Sequence, residues 1–505
     1  MHSHFSKIGE ILWTYFPYTS SALYPVILNE VKNLFPNHAK TLQHFPAGHN
    51  LKGTVTLMQN SIPSARRAAV DILLRIQREE GFSGQTLDIA LSGVCAGMSV
   101  ADKSLTTLLV YGVISRRLTL DHIIRAHCKK GFNRLHPTVL ELLRTGCYQL
   151  LYMDKIPPSA AVNEAVSLAR AMKQEHAAGF VNAVLRAIDR NRDSLRTFPD
   201  LSIQTSCPSE LISLWKSAYG DETAAAIARS GLESPHAIVR VNTLVTTPDE
   251  FEKILVENGV PYTKKAELPA CFEILQGNLL KNLANCSKNC YYLQDAASQL
   301  CCAALSPRSG DRVADVCAAP GGKTLTCAGM MGQGYILASD IHAGKCDAMR
   351  TRFAELGAEF ADVICRDASA EWPEHLYGSF DRVLCDAPCS GFGVIRRKPE
   401  IKYKPVSSFS GLPATQRRIL AQSAKLVADG GFLQYSTCTL NPAENDDIAE
   451  WFLRNHPNFA PRILPVEEQF AALSVPPSHS ITLFPHIHGT DGFFIAGFVK
   501  LPKTE

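Results

Sequence analysis

The sequence predicts a doubly wound α/β domain with a mostly parallel sheet, preceded by an all-α domain and a small α+β connector. Three observations lead there. From residue 310 onward short apolar runs alternate with helical patterns, as in a chain of βαβ units. From about 64 to 196 the apolar residues recur at helical spacing. Between 205 and 300 the two periodicities are mixed, so that stretch is expected to be the connector.

Residues 1–57 mix Pro, His and aromatics without a sustained period and are expected to be an upstream extension with no catalytic part. The all-α domain, assigned to 58–200, starts in the stretch MQNSIPSARRAAVDILLRIQ, where Ser64 can cap a helix carrying Ala68, Ile72 and Ile76 on one face. Further helical runs are VLELLRTGCYQLLYM, AAVNEAVSLARAM and GFVNAVLRAIDR, punctuated by Gly131, Pro137, Pro157 and Pro158. The connector, 201–305, holds the helical run SELISLWKSAYG and TAAAIARSGL, the strand-like AIVRVNTL and a second helix at 248–258. In the α/β domain, 306–505, the expected strands are RVADVC, YILASD, ADVIC, FDRVLCD and FLQYST, with helices after Gly322 and from His342, Pro413 and Ala443. The tail ITLFP and DGFFIAGFVK reads as a hairpin at the sheet edge.

Composition narrows the function classes. The 505 residues are 46% hydrophobic and 20% charged, which excludes fibrous and largely disordered chains. No run approaches the roughly 18 uncharged apolar residues that span a bilayer, so a cytoplasmic protein without a membrane partner is expected. Sixteen cysteines without a repeated spacing read as reduced thiols. Cys286/Cys290 and His486/His488 lack a second pair at zinc spacing, so no metal is expected. The net charge of +3 conceals an asymmetry: residues 61–200 carry 19 basic and 13 acidic side chains. That excess suits RNA, and equally a solvated helical surface.

Ligands of open α/β sheets bind beyond the carboxyl ends of the strands. Strand one runs into Cys317-Ala318-Ala319-Pro320-Gly321-Gly322-Lys323, where the glycines let backbone approach a ligand and Lys323 opens a helix. A bare turn could also use Pro-Gly-Gly. Asp340 ends strand two, where such folds place an acid for a ribose diol. Asp367 follows strand three on the adenine side, and Asp386 ends strand four. Each could be a helix cap; three on successive strands favour a ligand. Cys389 and Cys438 emerge at the ends of strands four and five, and free cysteines are commonly just small buried hydrophobes.

At these residues the chain resembles a known family. DVCAAPGGKT, DAPCSGFGVIRRKPEIK and YSTCTLNPAEN are closely similar to motifs of the bacterial RsmB/Sun family, S-adenosylmethionine-dependent cytosine-5 methyltransferases of small-subunit ribosomal RNA. YLQDAASQL and DGFFIAGF extend the resemblance, and the helical domain resembles the NusB-like RNA-binding domain that precedes the family's Rossmann-like catalytic part. The resemblance implies 5-methylcytosine formation in 16S rRNA, the family target being cytosine 967, with no obligatory protein partner. It puts the cofactor loop on Cys317 to Lys323, the ribose acid on Asp340, the adenine-side acid on Asp367 and the active-site acid on Asp386. It puts the nucleophile on Cys438 and the product-releasing thiol on Cys389. Gly391-Phe392-Gly393 departs from the Ala-Thr-Gly expected there, which bears on local substrate contacts.

The chemistry fits these residue types. Carbon 5 of cytosine is a poor nucleophile until a soft thiolate adds to carbon 6. An acid at ring nitrogen 3, protonated or sharing a proton with the base, would stabilise the developing charge. Two rivals stand beside this reading: a non-catalytic RNA-binding or antitermination factor, which needs no pair of strand-end thiols, and a methyltransferase for protein or small molecules. An amine methyltransferase would want Asn/Asp-Pro-Pro-Tyr where this chain has Asp-Ala-Pro-Cys.

Overall fold

The structure, a computed structural model, describes residues 63–502 except 80–82, 129–130, 196, 199, 266, 281–282, 284–288 and 466. The expected extension, Lys129, Lys130 and Cys286 lie outside the described residues. The first helix, Ala65–Glu79, starts where Ser64 predicts: Ser64 Oγ accepts the Arg67 N–H. Helices Ser83–Ser92, Val100–Ser115, Arg117–His127, Pro137–Tyr152, Pro158–Ala171 and Ala178–Arg190 follow. Pro137 and Pro158 occupy first-turn positions, where their missing N–H costs nothing. Helix Pro137–Tyr152 is buried nearly all round, and its Leu142, Leu143, Cys147 and Leu150 join Val110, Ile123, Val181 and Leu185 in one core.

The connecting region begins helically, with Ser209–Tyr219 and Asp221–Ser230 separated at Gly220, whose φ of +83° ends the first helix. It then forms a four-stranded antiparallel sheet from β1 (Ala237–Val241), β2 (Tyr262–Lys264), β3 (Cys271–Ile274) and β4 (Tyr291–Leu293), in the order β2-β3-β1-β4. Only β1 is foreseen. The other three are too short for a period-2 pattern to register. Helix Pro248–Glu257 carries a Thr247/Glu250 capping box and lays Phe251 against Phe272, with ring centroids 5.4 Å apart.

The α/β sheet comprises β5 (Arg312–Asp315), β6 (Tyr335–Asp340), β7 (Ala361–Cys365), β8 (Phe380–Asp386), β9 (Val427–Thr437), β10 (Phe459–Pro461), β11 (Ser480–Leu483) and β12 (Phe493–Lys500). Its order is β10-β12-β9-β8-β5-β6-β7, parallel from β7 through β9 and antiparallel at β12. Successive residues feed opposite cores. Val313, Ile336 and Leu384 face a layer with Leu300 and Phe353, whereas Ala314, Leu337 and Val383 face one with Leu420 and Phe452. This two-sided burial explains the unbroken apolar runs. The tail hairpin exists, but β12 is not the edge. Along its outer side β11 pairs with its first half and β10 with its second. Strand β5 also stops two residues short of the expected end, leaving Val316 and Cys317 in the loop.

Because the order switches at β5, with β6 on one side and β8 on the other, a crevice opens at its carboxyl end. Asp315, Asp340, Asp386 and Thr437 stand around it.

Candidate active site

Cys389 and Cys438 meet at this crevice, Sγ to Sγ 3.3 Å, each partly exposed. Parallel register explains the meeting: Asp386 pairs with Ser436, so each cysteine lies two or three residues past matched strand ends. The thiols are not equivalent. The hydrogen bond between the two sulfurs holds the Cys438 thiol below its ordinary value, the Lys323 and Lys398 ammonium groups assisting against burial and Asp386. The same bond, then burial, the charge on Cys438, and after these Glu444 and Asp386, push Cys389 well up. Burial likewise pushes Cys301, Cys302, Cys317 and Cys385 up, as expected of inert core thiols.

Asp386 is fixed from two sides. Its Oδ2 accepts from Lys323 Nζ at 2.7 Å and its Oδ1 from Ser436 Oγ at 2.8 Å. Lys323, expected as part of the cofactor loop, therefore sends its ammonium to the thiol side of the crevice. Burial alone would depress that ammonium, but the Asp386 carboxylate more than reverses this and holds it above its ordinary value.

The loop ahead of Lys323 carries a packing constraint as well. Gly321 has φ +93°, and a Cβ there would meet the Phe353 ring at 2.6 Å. Its glycine is required by backbone conformation and by close helix packing. Helix Gly322–Met331 starts immediately after it. Asp315 is buried, with Oδ2 accepting from Thr324 Oγ1 at 2.7 Å and Oδ1 without a partner. Asp340 Oδ1 accepts the His342 N–H at 3.0 Å. Asp367 is exposed and turns Oδ1 onto the Ser369 N–H and Oγ, bonds that pull its carboxyl down. An unfilled buried acceptor, a helix N-terminus and two strand-end acids line one crevice, a set that fits an adenosyl amino-acid ligand.

Sequence reasoning missed the groups that hold the two cysteine loops. Glu444, fully buried, accepts from the Ser390 N–H at 2.9 Å, Ser390 Oγ at 2.5 Å, Gln416 Nε2 at 3.0 Å and Asn441 Nδ2 at 2.8 Å. Arg396 and Arg397 both bind Asp491, and Arg397 also reaches Asp295 at 2.8 Å. Asp491 leads into Gly492, whose N–H donates to Gly393 O while the Gly393 N–H donates to Cys438 O. A Cβ on Gly393 would lie 2.0 Å from Gly492 O, so the departure at 391–393 still keeps glycine where two loops touch. The one available signal was that NPAEN, which contains Glu444, directly follows the Thr-Cys motif.

Of the basic residues in the 61–200 excess, Arg67 pairs with Asp71, Arg66 donates to Gln149, and Arg117 lies half-buried with its guanidinium 3.8 Å from the Tyr403 ring centre. Arg144, which contributed to the excess, is neutralised by Asp121 and Glu141. Arg125 and Arg134 instead line an open groove of about 660 Å³ with Phe132.

The fold and the crevice together define a methyltransferase with a NusB-like helical front. The 16S rRNA methyltransferase RsmB/F family profile matches residues 302–499, the NusB family profile 63–190, and the RsmF/B-like ferredoxin-like domain profile 207–278. The probable ribosomal RNA small subunit methyltransferase B of Bacillus subtilis is 34% identical over 454 residues, 86% of this chain and 99% of its own. That of Pasteurella multocida is 32% identical over 449 residues, 88% and 97% of the two chains. The crystal structure of PH0851 superposes with a TM-score of 0.71 at 25% identity, over 87% of this chain and 99% of that one. The chain belongs to the ribosomal RNA small subunit methyltransferase B family. Among the described residues no helix is long and apolar enough to cross a membrane.

Proposed function

We propose that this protein forms 5-methylcytosine in 16S ribosomal RNA, cytosine 967 being the family target, through a covalent bond between Cys438 and the base. The observation that carries the reading is the 3.3 Å contact of two strand-end thiols of opposite tendency, with Cys438 the more acidic. S-adenosylmethionine, held by Cys317 to Lys323, Asp340 and Asp367, supplies an electrophilic methyl group when bound. The chain's own residues do the rest. The Cys438 thiolate adds to carbon 6, which makes carbon 5 nucleophilic. Asp386, anchored by Lys323 and Ser436, is assigned to ring nitrogen 3, where it shares a proton with the base. After methylation Cys389, its own proton lost to solvent once the Cys438 charge is gone, takes the carbon 5 proton; the electron pair left behind restores the carbon 5–carbon 6 double bond and Cys438 leaves carbon 6 as the thiolate. The target base must be unpaired or flipped to reach the crevice.

The same reading assigns 58–200 to RNA binding, 201–305 to connection and 306–505 to catalysis, in the cytoplasm where the ribosome is assembled. Bisulfite sequencing of ribosomal RNA from cells with and without the gene tests it. A small-subunit cytosine protected only when the gene is present is the expected result, and an unchanged pattern overturns it.

A further inference from the structure

Glu444 is a fully buried acid whose four hydrogen-bond partners, two of them on Ser390, are all neutral. Ser390 follows Cys389 directly, and its Oγ also bonds Thr439 Oγ1 at 2.7 Å, beside Cys438. One carboxylate thus ties both cysteine loops together. Gln416 strengthens the tie by donating to Pro388 O as well. The charges around the thiols are arranged unequally: Glu444 and Asp386 bear on Cys389, whereas Lys323 and Lys398 offset Asp386 at Cys438. A negative charge in a site of low polarity raises the cost of ionising its nearest acid.

We propose that Glu444 is a positioning residue that biases which thiol attacks: bound directly to Ser390, one residue from Cys389, and reaching the Cys438 loop only through Thr439, its carboxylate favours Cys389 as the partner that keeps its proton and donates to Cys438 Sγ, leaving Cys438 as the thiolate. The pair then holds one proton and one negative charge, the second proton having gone to solvent. The inference rests on the reading of Cys438 as nucleophile and supplies the reason for it. Glutamine cannot replace this acid, because its amide would face donors with a further donor.

The test needs neither RNA nor cofactor. The full-length protein is alkylated with iodoacetamide across a pH series, and modification at Cys438 and Cys389 is read separately by peptide mass spectrometry. At pH 7 Cys438 should react about tenfold faster or more. Glu444→Gln should shrink that ratio about threefold or more by lowering the titration midpoint of Cys389. Glu444→Asp and Ser390→Ala, which keep the charge, should retain most of it. A natively folded Glu444→Gln protein with an unchanged ratio overturns the proposal, as does a Ser390→Ala protein that loses the ratio just as fully. If Glu444→Gln does not fold, Cys438→Ala decides: Cys389 must still titrate above the roughly 8.5 of a free thiol, and a midpoint at or below it overturns the proposal. Normal thiol selectivity without cytosine methylation would instead sink the proposed reaction and leave this role standing.

Discussion

Lys323 Nζ lies 2.7 Å from Asp386 Oδ2, joining the glycine loop after β5 to the carboxyl end of β8. The two side chains are 14% and 25% exposed, so removing one charge leaves the other largely shielded from water. Lys323→Met should therefore lower stability by about 1–3 kcal/mol, below the range for fully buried pairs because some solvent reaches this one. It should also abolish methyl transfer, since Asp386 would keep only Ser436. Thermal melts with a radiolabelled methyl-transfer assay check both. A stable, active Lys323→Met enzyme would show that the pair is incidental.

Asp315 gives a pH dependence. Burial pushes its carboxyl up to about 7, Thr324 opposing and Asp386 reinforcing the shift. An acid raised above its unfolded value of about 3.9 favours the folded state while protonated. That contribution is full below about pH 4 and is lost as pH rises through about 7. Asp315→Asn, neutral throughout, should stabilise the ligand-free protein at pH 8 by up to about 2–4 kcal/mol and leave it little changed at pH 4. Parallel Tm curves for the two proteins between these values would mean that Asp315 does not titrate there.

Asp340, Asp386 and both thiols were legible because each ends or directly follows an apolar run, and a strand's carboxyl end is local information; Asp315, inside the run RVADVC, was not singled out. Glu444 was not, because its partners Ser390 and Gln416 lie 54 and 28 residues away. The Arg396–Asp491 bond spans 95 residues, and nothing in either segment signals the other. The packing demand at Gly321 was not legible, since Phe353, which fills the space beside it, belongs to a helix no periodicity connects to the loop. Likewise β10 escaped notice as three residues ending in Pro461, a residue tolerated only at a sheet edge.

Cofactor binding should depend on Asp340. Its Oδ1 is engaged by the His342 N–H, which fixes the carboxylate at the end of β6. Truncation removes the acceptor for a ribose diol at about 1.5–3 kcal/mol per charged hydrogen bond. Asp340→Ala should weaken S-adenosylmethionine binding about tenfold or more by calorimetry. Unchanged affinity would remove Asp340 from the site.

RNA affinity should draw on the Arg125–Arg134 groove, because Arg66, Arg117 and Arg144 are engaged internally. Arg125 also stacks on Phe132, its guanidinium carbon 4.4 Å from the ring centre. Alanine at both arginines should weaken binding and reduce the slope of log affinity against log salt by about 1.4–1.8. If the slope is unaltered, the contacts lie elsewhere on the chain.

The two thiols should fail in opposite ways. With Cys438 and Cys389 3.3 Å apart, either sulfur could reach a base held in the crevice, so geometry alone does not separate attack from release. Acidity does, because the attacking group must be the thiolate, and Cys438 is the one drawn down. Cys438→Ala should form no bond to RNA and transfer no methyl group. Cys389→Ala should still attack and methylate but be unable to let go, so that an enzyme–RNA adduct survives denaturing gel electrophoresis. An adduct trapped by loss of Cys438 would mean the roles are exchanged, with Cys389 attacking. Normal methylation by both variants with no adduct from either would mean that no covalent step involves these sulfurs.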